Sequence, residues 1–434
     1  MRQKKEKSNM TRRDFIKKAG KSAVAVGVGS MAGFALVKPA RAAVKDYILI
    51  GRPNPTTGPL AGFGEPSPWA DDLVIDTINK QGGIYIKELG KKLPLKMKMY
   101  DTESNPTKAA EVASRLILND KIDVMDVMYT PDVVNPVSAV CERYKIPCVG
   151  LVVPIEAWLS GGPYHWSFQI FWSVDSVAET YIATWDMVAD KTNKVVGFFF
   201  PNDPDGVSWS EAFAKKLPKK GYKVVDPGRF PYFTKDFTSM INLFQKEKAE
   251  ILGGVPIPPD WVTFWKQCHQ QGYIPKVATM GKAMDFPSTC DALPGELSNG
   301  LTVELSSSDF HKYNSSITKE SAKQFMDAYE KKFKKYWNQY VPFTHAGYEV
   351  IVDALKRAQT LDKAKIRESI AKTNLKTIVG PVKFNEKNYA ESPICSCQWV
   401  KGKRFPWQME IVFNNNIPEI PVTAKMIFPL PKPK

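Results

Sequence analysis

The sequence predicts an α/β fold: parallel sheets in two successive lobes of like architecture. Short uncharged runs of β-branched and aromatic residues, such as Tyr47 to Ile50 and Val195 to Phe200, end in turns rich in Gly, Pro, Asn or Thr. Each turn leads into a stretch whose apolar residues recur at helical spacing. The series breaks at Gly161-Gly162-Pro163 and begins again at Val195. Repeated strand, loop and helix implies parallel sheets with crossover helices. Such sheets take ligands beyond the carboxyl ends of their strands.

The first strand runs into the loop Asn54 to Gly64, a candidate wall of a binding site. Its helix carries Trp69, Leu73, Val74, Thr77 and Ile78 on one face and stops at Gly82-Gly83. Leu95 to Tyr100 alternates apolar residues with Lys96 and Lys98, as a strand near an edge does. Asn105-Pro106 caps a helix with the buried stripe Ala109, Val112, Ala113, Leu116 and Ile117. Ile122 to Met128 is the next strand, with Tyr129-Thr130-Pro131-Asp132 at its carboxyl end. A helix near Asn135 to Tyr144, the strand Ile146 to Val153 and the extended aromatic stretch Trp166 to Trp172 complete this series.

A helix over Val174 to Asp190 leads to the second series. Its first strand ends in Pro201-Asn202-Asp203-Pro204-Asp205-Gly206, before a helix carrying Trp209, Phe213 and Leu217. Lys223 to Val225 and Ile251-Leu252 are short strands, the second followed by Gly253-Gly254-Val255-Pro256. Trp261, Phe264, Trp265 and Cys268 share one helical face. Lys276 to Met280 is a strand with the loop Gly281 to Pro287. Leu301 to Leu305 is extended and is expected to return the chain to the first lobe. Two helices follow, near Lys319 to Trp337 and Thr344 to Gln359; from Ile378 the chain reads as β, and the Pro-rich tail Pro418 to Lys434 reads as a strap.

The chain has 434 residues, enough for two or three domains, and a formal net charge of +15. That charge is concentrated at the start. Residues 1–42 hold eleven of the 60 Lys/Arg and two of the 45 Asp/Glu, leaving 49 against 43 and a balance of +6. A remainder so mildly basic, with no block of like charge, argues against nucleic acid as a partner. The first segment reads as an address. A basic opening precedes Thr11-Arg12-Arg13-Asp14-Phe15-Ile16, a weakly apolar stretch Ser22 to Val37, and the small residues of Ala40-Arg41-Ala42. This is the pattern of a twin-arginine export signal cut after Ala42, which implies the export machinery as a partner and a periplasmic product. The apolar stretch is too short to span a bilayer comfortably. Gly27-Val28-Gly29 and Gly20-Lys21-Ser22 look like nucleotide-binding motifs but lack the strand and helix that give those motifs meaning.

The order of parts resembles the type I periplasmic solute-binding proteins of the branched-chain amino acid transporter family. The residues that carry the resemblance are Thr57-Gly58-Pro59-Leu60-Ala61-Gly62-Phe63-Gly64, Asn105-Pro106-Thr107-Lys108-Ala109 and Lys235-Asp236-Phe237-Thr238. Trp265-Lys266-Gln267-Cys268 after Gly253-Gly254, then Ala346-Gly347-Tyr348-Glu349-Val350 and Gly380-Pro381-Val382-Lys383-Phe384-Asn385, complete the set. The resemblance implies two Rossmann-like lobes joined by three hinge crossings, closing on a small ligand and presenting it to the membrane permease of an ABC importer. The crossings are expected near Phe168 to Trp172, Gly300 to Leu305 and Lys376 to Pro381. The implied division is residues 1–42 as signal, 43–168 with 301–378 as lobe 1, and 169–300 with 379–434 as lobe 2 and strap. A monomer without a cofactor is expected.

The resemblance also implies ligand positions. The first-loop aromatic falls on Phe63, and the polar residue after the third strand on Thr130, beside Tyr129. The hydroxyl residues after the fourth strand are replaced by Leu151 to Pro154, including Val153. A second-lobe Tyr becomes Asp205, and the acid that holds a substrate ammonium falls near Ala283, between Lys282 and Asp285. Trp209, Trp261 and Pro256 are further candidates. These departures point away from a standard branched-chain amino acid, whose two charges each need a partner. The expected ligand is amino acid-like or, in keeping with these departures, a small aromatic or aliphatic organic acid, its carboxylate held by Lys282 or by a pair of backbone N–H groups.

Other chemistry finds less support. His165, His269, His311 and His345 show no metal-ligand spacing. Gly206-Val207-Ser208-Trp209-Ser210 lacks the last Gly of a nucleophile elbow. Cys141, Cys148, Cys268, Cys290, Cys395 and Cys397 are expected as buried thiols. A ligand-binding accessory of a sensor or chemoreceptor, and an exported α/β enzyme, remain as alternative functions.

Overall fold

The computed structural model describes residues 45–415 and 417–432. Arg12, Arg13, Ala40 and Ala42 lie outside the described residues. The first sheet is built from β1 (Ile48–Asn54), then β2 (Leu95–Asp101) after α1 (Ser67–Lys80), and β3 (Val124–Met128) after α2 (Pro106–Leu118). The helix α3 (Pro131–Tyr144) leads to β4 (Cys148–Leu151), and β5 (Ser167–Phe171) follows. A small hairpin over residues 84–93 lies outside this sheet. Local chemistry sets the helix starts. Asn105 Oδ1 accepts the Lys108 N–H at 3.0 Å while Pro106 fills the first helical position.

The second sheet begins beyond α4 (Val174–Asp186) with β6 (Val195–Phe199), α5 (Pro204–Lys216), β7 (Lys223–Val225) and α6 (Thr238–Lys246). It continues through β8 (Ile251–Gly254), α7 (Pro258–Gln270), β9 (Val277–Met280) and β10 (Thr302–Leu305). The helices α8 (Ala322–Phe333), α9 (Tyr340–Ala358) and α10 (Lys363–Ala371) come next, then β11 (Tyr389–Glu391), β12 (Cys395–Lys401) and β13 (Trp407–Phe413). Strand order is β11-β5-β4-β3-β1-β2 in the first sheet, where every pairing is parallel. It is β13-β12-β10-β9-β8-β6-β7 in the second, parallel except where β12 meets β10 and β13. This is the two-lobed α/β architecture that the periodicity implies.

Among the described residues the chain crosses between lobes three times, the second just beyond its expected stretch and the third well away from it. Trp172 and Ser173 make the first crossing, between β5 and α4. The second falls after Leu305, because β10 is a member of the second sheet, paired with β9 and β12. The third falls after Glu391: β11 still pairs with β5 of the first sheet, so residues 379–391 do not join lobe 2. Alternation along a strand says which face is buried but not which sheet accepts the strand, and that choice is made by partners far away in sequence. On the hinge side, Glu349 of α9 takes the Ile378 N–H at 2.8 Å and the Ser316 N–H, tying two connecting segments to lobe 1. The tail fastens to lobe 2, with Ile427 and Gln398 exchanging hydrogen bonds at 2.8 and 3.2 Å and Leu430 N–H donating to Lys276 at 2.9 Å.

β1 is buried along its whole length, and it carries a charge into the core. Arg52 Nη2 lies 2.8 Å from Asp71 Oδ1 and 2.9 Å from Asp126 Oδ2, and all three side chains are fully buried. The guanidinium also sits 5.4 Å from the Tyr348 ring centre. The six cysteines are buried and unpaired. No helix among the described residues is long and apolar enough to cross a membrane.

Candidate functional site

The strand ends of the two lobes face each other across a narrow space. From lobe 1 come Phe63, Thr130, Val152, Pro154, Phe171 and Tyr340, with Trp172 at the first crossing. From lobe 2 come Asp205, Val255, Lys282 and Glu304. The enclosed volume is about 20 Å³, room for about one water molecule. The lobes are therefore shut on their own side chains.

Backbone geometry aims these residues. Phe63 lies on a single helical turn, Ala61–Gly64, held by the Asn54 Nδ2 bond to the Gly64 carbonyl at 3.1 Å. Its ring meets Phe286 of lobe 2 edge-on, with centres 4.6 Å apart, and lies 5.1 Å from Tyr340. At the ends of β3 and β4, Tyr129, Thr130 and Val152 all have positive φ, at 76°, 63° and 62°. For non-glycine residues this is strain, and it gathers where chains turn sharply to present side chains. Lys282 is the centre of a γ-turn (φ 56°, ψ −63°) closed by the Ala283 N–H on the Gly281 carbonyl at 2.5 Å.

The electrostatics are dominated by acids. Lys282 Nζ lies 2.6 Å from Asp205 Oδ2 and 3.0 Å from Asp203 Oδ2. Tyr232 OH donates to Asp203 and, across the gap, lies 3.4 Å from Asp132 Oδ2. Glu304 takes the Tyr181 hydroxyl, while Asp285 takes the Tyr340 hydroxyl and Gln339 Nε2, the latter at 2.7 Å. Burial, with Asp203 nearby, pushes the Asp205 carboxyl up to about 7, against the pull of Lys282. Burial likewise pushes Glu304 up to about 7 and Asp285 well above the carboxylate range. Burial opposes the charge on Lys282, but Asp203 and Asp205 hold it firmly protonated.

Of the residues singled out in the sequence, Phe63, Thr130, Asp205 and Lys282 come together here. Tyr129 does not line the space; its hydroxyl turns into lobe 1, bonded to Thr344 Oγ1 at 2.7 Å and Ser67 Oγ at 3.2 Å. Val153 and Pro256 are buried and give their places to Val152, Pro154 and Val255. Trp209 stands one layer back, its ring 5.5 Å from Trp172. Trp261 stacks on Trp265 in the lobe 2 core at 4.8 Å. Lys282 is not free to hold a carboxylate, because two aspartates already hold it. Glu304, Phe171, Trp172 and Tyr340 line the space as well, without any local signal in the sequence that marks them as ligand residues. Glu304 follows the same strand-end rule as the rest, but only once β10 is placed in the second sheet.

The loop before α5 depends on Gly206. A Cβ there would sit 1.9 Å from the Pro201 carbonyl oxygen, and the Gly206 N–H is held by Asp203 Oδ1 at 2.7 Å. Gly206→Ala is expected to lower stability by about 1–3 kcal/mol in urea unfolding, through overpacking against backbone.

Comparison with known proteins decides what this cleft belongs to. Residues 48–403 match the family model described as periplasmic binding protein. The chain belongs to that family. It is a solute-binding protein, built to hold a small ligand between two lobes. Among relatives, it is 24% identical over 394 residues to a Leu/Ile/Val-binding protein homologue of Brucella suis, covering 87% of this chain and 94% of the relative. Among solved structures it resembles a leucine-binding protein of Thermotoga maritima, with TM-score 0.72, 20% identity, and coverage of 85% and 99%. It also resembles a Rhodopseudomonas palustris solute-binding protein solved with 3,4-dihydroxybenzoic acid, with TM-score 0.66, 18% identity, and coverage of 85% and 99%. At these identities the structures speak for the fold.

Proposed function

We propose that this protein is the extracytoplasmic receptor of an ABC importer, capturing a small organic solute by hinge closure and presenting it to a permease. The observation that carries this reading is the meeting of strand ends from both lobes at Phe63, Thr130, Asp205 and Lys282, with three crossings behind them. Closure then shifts a population between open and shut states, driven by contacts the solute makes to both lobes. The relatives named as Leu/Ile/Val-binding homologues support capture of a small solute, and the Rhodopseudomonas palustris neighbour, described as the solute-binding protein of an ABC transporter, supports transport as the setting. The chain binds rather than transforms its solute and acts as a monomer.

Export by the twin-arginine route, with cleavage after Ala42, is part of the proposal. Replacing Arg12 and Arg13 by Lys is expected to retain the chain in the cytoplasm. The exported wild type is expected to begin at Ala43 by mass spectrometry. Export of the double variant at the wild-type level would reject the route. The receptor reading itself is tested by X-ray scattering on purified protein. Addition of a small-molecule extract of the growth medium is expected to shrink the radius of gyration and raise the melting temperature. No change with any extract would reject it.

A further inference from the structure

We propose that the cleft selects a small organic cation, an amine or quaternary ammonium without a carboxylate, recognised by aromatic faces from lobe 1 and carboxyls from lobe 2. The inference rests on the receptor reading and names its solute class. Three observations carry it.

The first is the division of chemistry between the walls. Phe63, Phe171, Trp172 and Tyr340 line one side, and Asp205 and Glu304 line the other. A cation is attracted both by aromatic faces and by carboxylates, whereas an anion is repelled by each.

The second is the charge count. Asp132, Asp203, Asp205, Asp285 and Glu304 act on one another around the cleft, and Lys282 is the one basic side chain among the described residues that line it. Asp203 and Asp205 belong to lobe 2, as Lys282 does, so their ion pairs do not depend on closure. Several backbone donors of the lining are engaged as well. The backbone N–H groups of Tyr129, Thr130, Val152, Val255 and Gly281 all donate to carbonyls at 2.9–3.3 Å.

The third is unmet hydrogen bonding in the lining. Among the described residues of the lining, the oxygens Asp205 Oδ1 and Thr130 Oγ1 and the donor Trp172 Nε1 have no hydrogen-bond partner, on residues 2%, 3% and 2% exposed. Both oxygens can accept from an ammonium N–H. A buried acceptor left without a donor is costly, so a solute that supplies one is favoured.

Protonation follows. Asp205 faces Lys282, Asp203, Asp132 and Glu304, and Glu304 faces Asp205, Asp285 and Tyr181. In the shut protein protons quench part of this negative charge; an organic cation displaces them. If one carboxyl titrating near 7 must ionise, affinity for the cation rises about ten-fold from pH 6 to pH 8.

The test uses the mature protein and two sets of probes. Tetramethylammonium and benzylamine are titrated against leucine and benzoate by calorimetry and Trp fluorescence. In parallel, a growth-medium extract is split at pH 7 into cation-exchange-retained, anion-exchange-retained and flow-through fractions, each scored by melting temperature. Stabilisation by the cation-retained fraction or by an amine probe, about ten-fold stronger at pH 8 than at pH 6, supports the inference. Asp205→Asn and Glu304→Gln should then weaken binding at least ten-fold and flatten its pH dependence, with melting temperature read separately to show that each variant folds. Binding confined to benzoate, leucine, the anion-retained fraction or the flow-through overturns the cation while leaving the receptor reading intact. No response to any fraction overturns both.

Discussion

Arg52→Met is expected to remove about 3–5 kcal/mol of folding stability, because it strands two buried carboxylates that the guanidinium now partners. Asp71 and Asp126 are fully buried, so neither can turn to water when the cation is gone. Burial already pushes Asp71 to about 7 and Asp126 to about 6, even with Arg52 pulling both down. The sign of the pH effect follows. A carboxyl whose folded pKa is raised binds its proton more tightly in the native state, so stability falls as pH rises between about 4 and the folded value. In wild type that window ends near pH 6 to 7. Without Arg52 both carboxyls rise further, so the loss should be larger at pH 8 than at pH 5. Urea midpoints at the two pH values measure it. Adding Asp71→Asn and Asp126→Asn should return part of the loss at pH 8. An equal loss at both pH values would mean that packing around the side chain, and not charge, sets the cost.

Lys282→Met tests the same physics at the cleft, again with an expected cost of about 3–5 kcal/mol. Its ammonium is the counter-charge for Asp203 and Asp205, and Asp205 already titrates up to about 7 through burial. Losing Lys282 moves that carboxyl higher still. The variant should be closest to wild type near pH 5, where Asp205 takes up its proton, and worst at pH 8, where it must ionise without a partner. Asp205→Asn on the same background should narrow the gap. A lysine that served only to bind a solute anion would leave the unliganded protein's stability unchanged, so unchanged urea midpoints would overturn the structural role. The two lysine and arginine variants share one principle: a buried cation here keeps acids in the folded state, and its loss is felt as unpaired negative charge.

A cleft that shuts on its own side chains also accounts for the aromatic walls. Phe63, Phe286 and Tyr340 pack across the gap in tilted and edge-on pairs, which hold the lobes together without a guest. A guest must replace those contacts with better ones, and its chemistry is therefore written in what it displaces.

Much of this molecule was legible from residue order. Helix caps such as Asn105-Pro106, strand-end turns such as Asp203 to Gly206, and the repeat of strand, loop and helix depend on local chemistry that acts over a few residues. They give the α/β class and the two lobes, while the four lining residues Phe63, Thr130, Asp205 and Lys282 are those that the family resemblance implies. The same local rules were silent on direction and company. Tyr129 and Thr130 are neighbours, yet one hydroxyl enters lobe 1 and the other residue faces the gap, because positive φ at both positions turns the chain between them. Glu304 was hidden because a four-residue strand bears no mark of the sheet it will join. Lys282 looked available because its partners lie 77 and 79 positions earlier. Residue order alone determined the elements and the rim on which a solute sits; only the folded chain decided which rim residues are already spent on one another, since pairing of buried charge depends on distance in space and on the absence of water, neither of which sequence separation records.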